Sequence, residues 1–351
     1  MKAIPSESID LVVTSPPYPM IAMWDDIFVQ QAPDIGSALR ENNGSIAFEL
    51  MHRVLDPIWL ELFRVMKKGA TACINIGDAT RTINDVFCLY PNHTRIAASL
   101  RGAGFLSLPC ILWRKQTNAP NKFMGSGMLP AGAYVTLEHE YVLIFRKGAK
   151  REFRSAEDAR KRRESAFFWE ERNHWFSDVW MDLKGASQTL FTRKARNRSA
   201  AFPFELPYRL INMFSVKEDT ILDPFLGIGT TMFAAMASGR NSVGIELFPE
   251  FEKDIALNLP KIAGFTNDRI HKRLNDHIAF VEQRKQDKRE FKHQNRPYDF
   301  PVVSLQERDL FFNELLRVRE KGKSRFRVEY ADGPGNLSRA YWGALFNPLG
   351  E

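Results

Sequence analysis

Apolar positions in the first part of the chain fall in short continuous runs, separated by stretches with a helical period. Leu11-Val12-Val13 is brief, apolar and β-branched, the pattern of a strand buried on both faces. Pro16 and Pro17 end it, because neither has an amide hydrogen to give a sheet. A polar stretch near "QQAPDIGSALRENNGS" reads as loop, and the spacing in "AFELMHRVLDPIWLELFRVMKKG" predicts a helix closed by Gly69. "ATACINIGD" predicts a second buried strand, "NHTRIAASLRGAGF" an amphipathic helix with a glycine stop, and "LPCILWRK" a third strand. "YVTLEHEYVLIFRKG" holds two strands or one long one with no helix before it, which predicts an antiparallel hairpin there. Strand and helix otherwise alternate, so the fold class is α/β with a mostly parallel sheet.

That rhythm breaks at "RKGAKREFRSAEDARKRRES", rich in lysine and arginine, which leads into the aromatic "AFFWEERNHWFSDVWMD". It resumes, after a helix expected from Phe204, at "DTILDPFLGIGTTMFAAMASGRNSVGIEL". From about Lys261 the chain is charged and reads as mostly helical. Residues 1–148 and 201–260 are thus expected to be two halves of one α/β domain, interrupted by an inserted region, 149–200, and followed by a charged helical extension, 261–351.

With 351 residues, 44% hydrophobic and 26% charged, the composition is that of an ordinary globular protein with room for a large core. No apolar run is long enough to span a bilayer, and "MKAIPSESID" lacks the core of a secretory signal, so a cytoplasmic location without membrane association is expected. Cys73, Cys88 and Cys110 show no C-x-x-C spacing, which indicates neither a disulfide framework nor a metal site. A net charge of +7 and a pI near 9.2 suit a polyanionic partner.

Two short motifs carry chemistry. In Ser15-Pro16-Pro17-Tyr18 the prolines freeze φ and leave nearby carbonyls outside any ladder, Ser15 adds a hydroxyl, and Tyr18 adds a flat ring. Such a corner can hold a planar amine. In "TILDPFLGIGTTMF" a strand runs through a glycine turn into a helix, and the next strand ends at Glu246, the arrangement of a nucleoside site with the acid on ribose hydroxyls. The turn lacks the third glycine of a dinucleotide fingerprint, and Asp223 at its mouth would repel a pyrophosphate. A carboxylate there suits a ligand with a sulfonium and an ammonium, as in S-adenosyl-L-methionine.

Both motifs, in this order, with "LFRVMKKGATACINIGD", "HEYVLIFRK" and "FPFELPYRLINMFS" around them, resemble the S-adenosylmethionine-dependent DNA methyltransferases that act on exocyclic amines, the class in which the S-P-P-Y motif precedes the cofactor motif. The likeness runs from about Ile9 to Leu259. It implies a Rossmann-like methyltransferase sheet in circularly permuted motif order, with Ser15, Pro16, Pro17 and Tyr18 as the catalytic corner. Asp223, Pro224, Phe225, Gly227, Gly229, Thr230 and Thr231 would surround the methionine part of the cofactor, Glu246 the ribose, and Phe202, Pro203 and Glu205 the other side. Asp78, at the end of "CINIGD", is either a further cofactor contact or a helix cap. Arg151, Arg154, Arg160, Lys161, Arg162, Arg163, Arg193 and Lys194 in the inserted region would bind double-stranded DNA. The resemblance also points to a restriction-modification system, and leaves both a cognate endonuclease and a homodimer open.

The target base must leave the duplex to be reached, with Tyr18 stacking on it. Serine at position 15 resembles the cytosine-N4 enzymes more than the adenine-N6 ones, and its hydroxyl could both accept from the amine and donate to the neighbouring ring nitrogen. RNA or protein-amide methylation and simple nucleotide binding are the rival readings. Cys110, beside Pro109, is read as strand core and not as a nucleophile.

Overall fold

The structure, a computed structural model, describes residues 1–115, 124–183, 201–322 and 324–334. The chain divides into two compact units, one of Met1–Arg151 with Asp178–Ser187 and one of Glu152–Ser177 with Gln188–Glu351.

In the first unit, strand β1 (Ile9–Thr14) is buried along its whole length, as its β-branched run predicts. It pairs in parallel with β2 (Met66–Ile76) after a crossover through helices Asp25–Gln31, Asp34–Arg40 and Gly44–Val65. The last of these buries Ala47, Phe48, Met51, Leu55, Trp59 and Leu62, one stripe at spacings of one to four, and Asn43 caps it by accepting the Ile46 amide at 3.2 Å. The helix ends at Val65 and not near Gly69, because Met66 is already extended. Gly69 belongs to β2, at φ 83°, where a Cβ would stand 2.6 Å from the Arg151 backbone nitrogen.

A hairpin of β3 (Ala79–Ile83) and β4 (Val86–Tyr90) follows, turning through Asn84 and Asp85, both with positive φ. Helix Asn92–Gly102 is followed by Gly104 at φ 103° and then by β5 (Leu106–Arg114). A small pair, β6 (Met124–Gly125) with β7 (Ala133–Tyr134), precedes β8 (His139–Arg146). β8 is antiparallel to both β2 and β5, and β5 is parallel to β9 (Val179–Trp180), giving the order β1-β2-β8-β5-β9.

The second unit contains helix Glu205–Phe214 and the parallel pair β10 (Thr220–Asp223) and β11 (Asn241–Gly244), joined through helix Thr230–Ala237, every residue of which is buried. Within the region 149–200, residues 152–177 belong to the second unit and 178–183 to the first. Helices Ala156–Glu164 and Trp169–Trp175 fold with the long helix Ile262–Gln286. Phe168 joins Ile270, Leu274, Ile278, Tyr298, Phe300, Val302 and Leu310 in a second hydrophobic core. Buried Arg273 adds a fork onto Glu171 at 2.6 and 2.7 Å. The extension is also less helical than expected. After Gln286 come β12 (His293–Gln294) with β13 (Pro301–Val302), and β14 (Leu315–Glu320) with β15 (Phe326–Tyr330), both antiparallel. In "FRVEY" charged residues alternate with Phe326, Val328 and Tyr330, and in "LLRVRE" a register shift after Leu315 breaks the period-two pattern that would have marked a strand. No helix of the described residues is long and apolar enough to cross a membrane.

Candidate active site

The proline corner leaves the end of β1 with Pro16 buried and Ser15, Pro17 and Tyr18 half-buried. The Ser15 hydroxyl donates to Tyr18 Oη at 3.2 Å, and Tyr18 Oη donates to Glu140 Oε2 at 3.0 Å. Asn75 Nδ2 donates to both Tyr18 Oη at 2.8 Å and Glu140 Oε2 at 2.7 Å. Lys115 closes the set with an ion pair to the other Glu140 oxygen. Burial, and then the Glu140 charge, push the Tyr18 phenol well above its ordinary value, so it keeps its proton. Gly77 gives the ring its place, since a Cβ there would lie 3.0 Å from Tyr18 Cε2. Because Ser15 has one proton and spends it on Tyr18, its hydroxyl is left as an acceptor. The expected second role, donation to a ring nitrogen, has no proton in this arrangement.

A second anchor holds the same corner. Asn92 Nδ2 donates to the carbonyls of Pro19 and Gly77, both at 3.0 Å, and its Oδ1 lies 3.0 Å from His52 Nε2. Asp78 sets one oxygen on the His93 amide at 3.1 Å and both near His93 Nδ1 at 2.7 and 2.8 Å.

The glycine turn is organised within the second unit by its two acids. Asp223, at the end of β10 and 3% exposed, accepts from the Phe225 amide at 3.0 Å and from Thr231 Oγ1 at 2.6 Å. Glu246 accepts from the Gly227 amide at 2.6 Å and the Phe248 amide at 2.8 Å. Gly227 and Gly229 hold φ of 55° and 84°, which a side chain would strain. Thr230 is 3% exposed, and its hydroxyl has no hydrogen-bond partner among the described residues. An acid at a strand end, a bare glycine backbone and an unanswered hydroxyl fit a ligand with ammonium, carboxylate and ribose groups. Phe202 and Pro203 are buried, and Glu205 takes Arg209 at 2.9 Å and pairs with Arg269.

The basic residues are mostly engaged. Arg151 lies 3.6 Å from Asp10, Arg154 pairs with Glu152, Arg160 with Glu164 at 2.9 Å, and Arg163 with Asp309 at 3.2 Å. Lys161 bridges Glu157 and Glu218, and Arg162 stands 4.8 Å over the Phe153 ring. Arg193 and Lys194 lie outside the described residues. Sequence reasoning missed Asn75, Glu140, Lys115 and Asn92. The available signal was a polar residue inside each of the apolar runs "CINIG" and "HEYVLIF", where an unpaired group would be costly.

A serine-bearing proline corner and an acid-flanked glycine turn on an α/β scaffold define the class of methyltransferases that use a nucleoside cofactor. Comparison with known proteins narrows the class. Residues 9–257 match the family model N6_N4_Mtase, DNA methylase. The type II methyltransferase M.MthZI of Methanothermobacter thermautotrophicus is 50% identical over 311 residues, covering 88% of this chain and 86% of that protein. M.MjaI of Methanocaldococcus jannaschii is 47% identical over 277 residues, 75% of this chain and 90% of its own. Among solved structures, TTHA0409 of Thermus thermophilus in complex with S-adenosyl-L-methionine has a TM-score of 0.56 at 29% identity, covering 75% of this chain and 90% of that one. The chain belongs to the DNA methylase family of S-adenosylmethionine-dependent amino-methyltransferases, of the restriction-modification type. Its fold is the mixed, mostly parallel Rossmann-like sheet of such enzymes, its cofactor is S-adenosylmethionine, and its substrate is DNA.

Proposed function

We propose that the enzyme methylates the exocyclic N4 amine of a cytosine extruded from double-stranded DNA. The observation that carries this reading is Ser15, a neutral hydroxyl at the proline corner with its proton spent on Tyr18. The lone pair of a ring-attached amine is delocalised into the base, so the amine is a poor nucleophile. A site that accepts both amine hydrogens returns density to nitrogen, and Ser15 Oγ and the Pro16 carbonyl are the two acceptors. The Tyr18 ring stacks on the extruded base, at an unstacking cost of a few kcal/mol. S-adenosylmethionine supplies the electrophilic methyl group when bound. Asp223, Phe225, Gly227, Gly229, Thr230 and Thr231 hold its methionine end, with Pro224 stiffening the turn. Glu246 takes the ribose, and Phe202, Pro203 and Glu205 lie at the far side. Orientation is the large term, since positioning of this kind supplies roughly 7 to 11 kcal/mol of barrier reduction.

The serine form of the motif, where adenine-directed enzymes more often carry aspartate or asparagine, favours cytosine. Adenine presents the same pairing of amine and ring nitrogen, so the base itself has to be read out. Nucleoside mass spectrometry of DNA methylated by the enzyme is expected to show N4-methylcytosine. N6-methyladenine alone would replace cytosine by adenine and leave amine methylation standing. A partner endonuclease of the same site preference and a cytoplasmic location go with this role.

A further inference from the structure

Ser15, Tyr18, Asn75 and Glu140 form a hydrogen-bond chain whose direction has one origin. Glu140 is 8% exposed and bonded through a carboxylate, which can only accept. Tyr18 Oη at 3.0 Å must therefore donate to it, and Asn75 must present its amide nitrogen to it at 2.7 Å. With the only Tyr18 proton committed, the 3.2 Å contact to Ser15 forms only if Ser15 donates. Ser15 is then left with lone pairs alone. We propose that Glu140 is the positioning residue that fixes the direction of this chain, so that Ser15 can meet the target amine only as an acceptor. The inference rests on the reading of Ser15 as the contact to that amine.

Two further observations agree. Asn75 is 2% exposed, and its Oδ1 has no hydrogen-bond partner among the described residues. Turning the amide over would set that oxygen against the acceptor-only Glu140, so the carboxylate dictates this group as well and leaves a buried acceptor bare. A network kept only for stability would gain by filling it, because an unanswered buried acceptor is destabilising. Lys115 pairs with the other oxygen of Glu140, so neither carboxylate oxygen lacks a donor, and burial holds the proton on Tyr18.

The test is Glu140→Gln, which keeps the size of the side chain but can donate as well as accept, so Ser15 is free to reverse. Tyr18→Phe, which removes one oxygen and keeps the ring, carries the same test should the Gln variant fold poorly by near-UV circular dichroism. In single-turnover assays each is expected to slow methyl transfer about tenfold to a hundredfold. Affinities for DNA and cofactor should stay within about twofold, as should the cofactor-free fluorescence of 2-aminopurine at the target position, which reports base extrusion. The double variant should be no slower than the slower single one, since both break the same chain. A native transfer rate in Glu140→Gln, or rate losses that multiply in the double variant, overturns the inference. Ser15→Ala separates it from its parent: a native rate there removes the Ser15 reading itself, whereas a slow Ser15→Ala beside a native Glu140→Gln removes only the role of Glu140.

Discussion

Asp223 carries two duties that a single substitution confounds. It ties the glycine turn through the Phe225 amide and Thr231, and under the proposed function it also offers its charge to the cofactor. Asp223→Asn separates them, because the amide keeps the volume and one acceptor while losing the charge. Calorimetry is expected to show S-adenosylmethionine affinity falling about tenfold to a hundredfold, the usual worth of a hydrogen bond to a charged group, with the circular dichroism spectrum unchanged. Native affinity in the folded variant would remove Asp223 from the cofactor site. Asp78 makes the contrast at the same scale. It too is an acid following a strand, yet its oxygens are given to the amide and ring of His93.

At the scale of elements, helix Gly44–Val65 and helix Asn92–Gly102 are pinned by His52 and Asn92, and the same Asn92 holds the carbonyls of Pro19 and Gly77. His52 is fully buried, and its Nδ1 has no hydrogen-bond partner among the described residues, so a second ring proton would be unanswered. Burial lowers its pKa from 6.5 to about 4. The unfolded chain therefore takes up a proton as pH falls through 6.5 while the folded chain does not until about 4. Stability from this group is complete above 6.5 and is lost across that window, by roughly 3 kcal/mol at most. Urea midpoints measured from pH 7 to pH 4 should fall less steeply in His52→Gln than in the native chain. Equal slopes would show that His52 does not set the acid limit.

The sheet strands were legible because burial on both faces leaves a continuous apolar run, as in β1 and β2. The β3–β4 hairpin was not, since its turn is Asn84-Asp85 without a glycine. Nor was the end of helix Gly44–Val65, where local pattern favoured continuation and the extended Met66 prevailed. The motif residues themselves were legible. Their supports were not, because Asn75 and Glu140 lie 57 and 65 residues from their partners Tyr18 and Asn75.

For the whole molecule, a charge of +7 reflects 49 basic against 42 acidic residues, so most cations have an acid available. On helix Ala156–Glu164 the pairs Arg160–Glu164 and Lys161–Glu157 lie within the helix, while Lys161 and Arg163 also reach Glu218 and Asp309, and ion pairs with one partner at the surface are weak enough for phosphates to compete with the acids. Assigning the helix to the DNA backbone predicts that neutralising Arg160, Arg162 and Arg163 flattens the plot of log affinity against log salt, by about 0.9 for each phosphate that is no longer neutralised. Fluorescence anisotropy over a salt series measures it. An unchanged slope would make this helix a solvated face. The second core around Phe168 was beyond sequence reasoning for a related cause, since Glu171 and Arg273 meet across 102 residues of chain.

Under the proposed function, the unanswered Thr230 hydroxyl gives the ligand-free protein a store of unfavourable free energy that the bound cofactor releases. Stability and occupancy are then linked quantities: the melting temperature of the protein should climb with the logarithm of S-adenosylmethionine concentration, by about 2.7 kcal/mol of stabilisation at a hundred times the dissociation constant. Thr230→Val replaces the hydroxyl by a methyl of the same shape. The ligand-free variant should melt higher than the native protein, since a buried polar group without a partner has been removed. Its melting curve should also respond less to added cofactor. By that measure the native residue trades resistance to heat for sensitivity to its ligand, and a valine variant that melts lower in the absence of cofactor would disprove the trade.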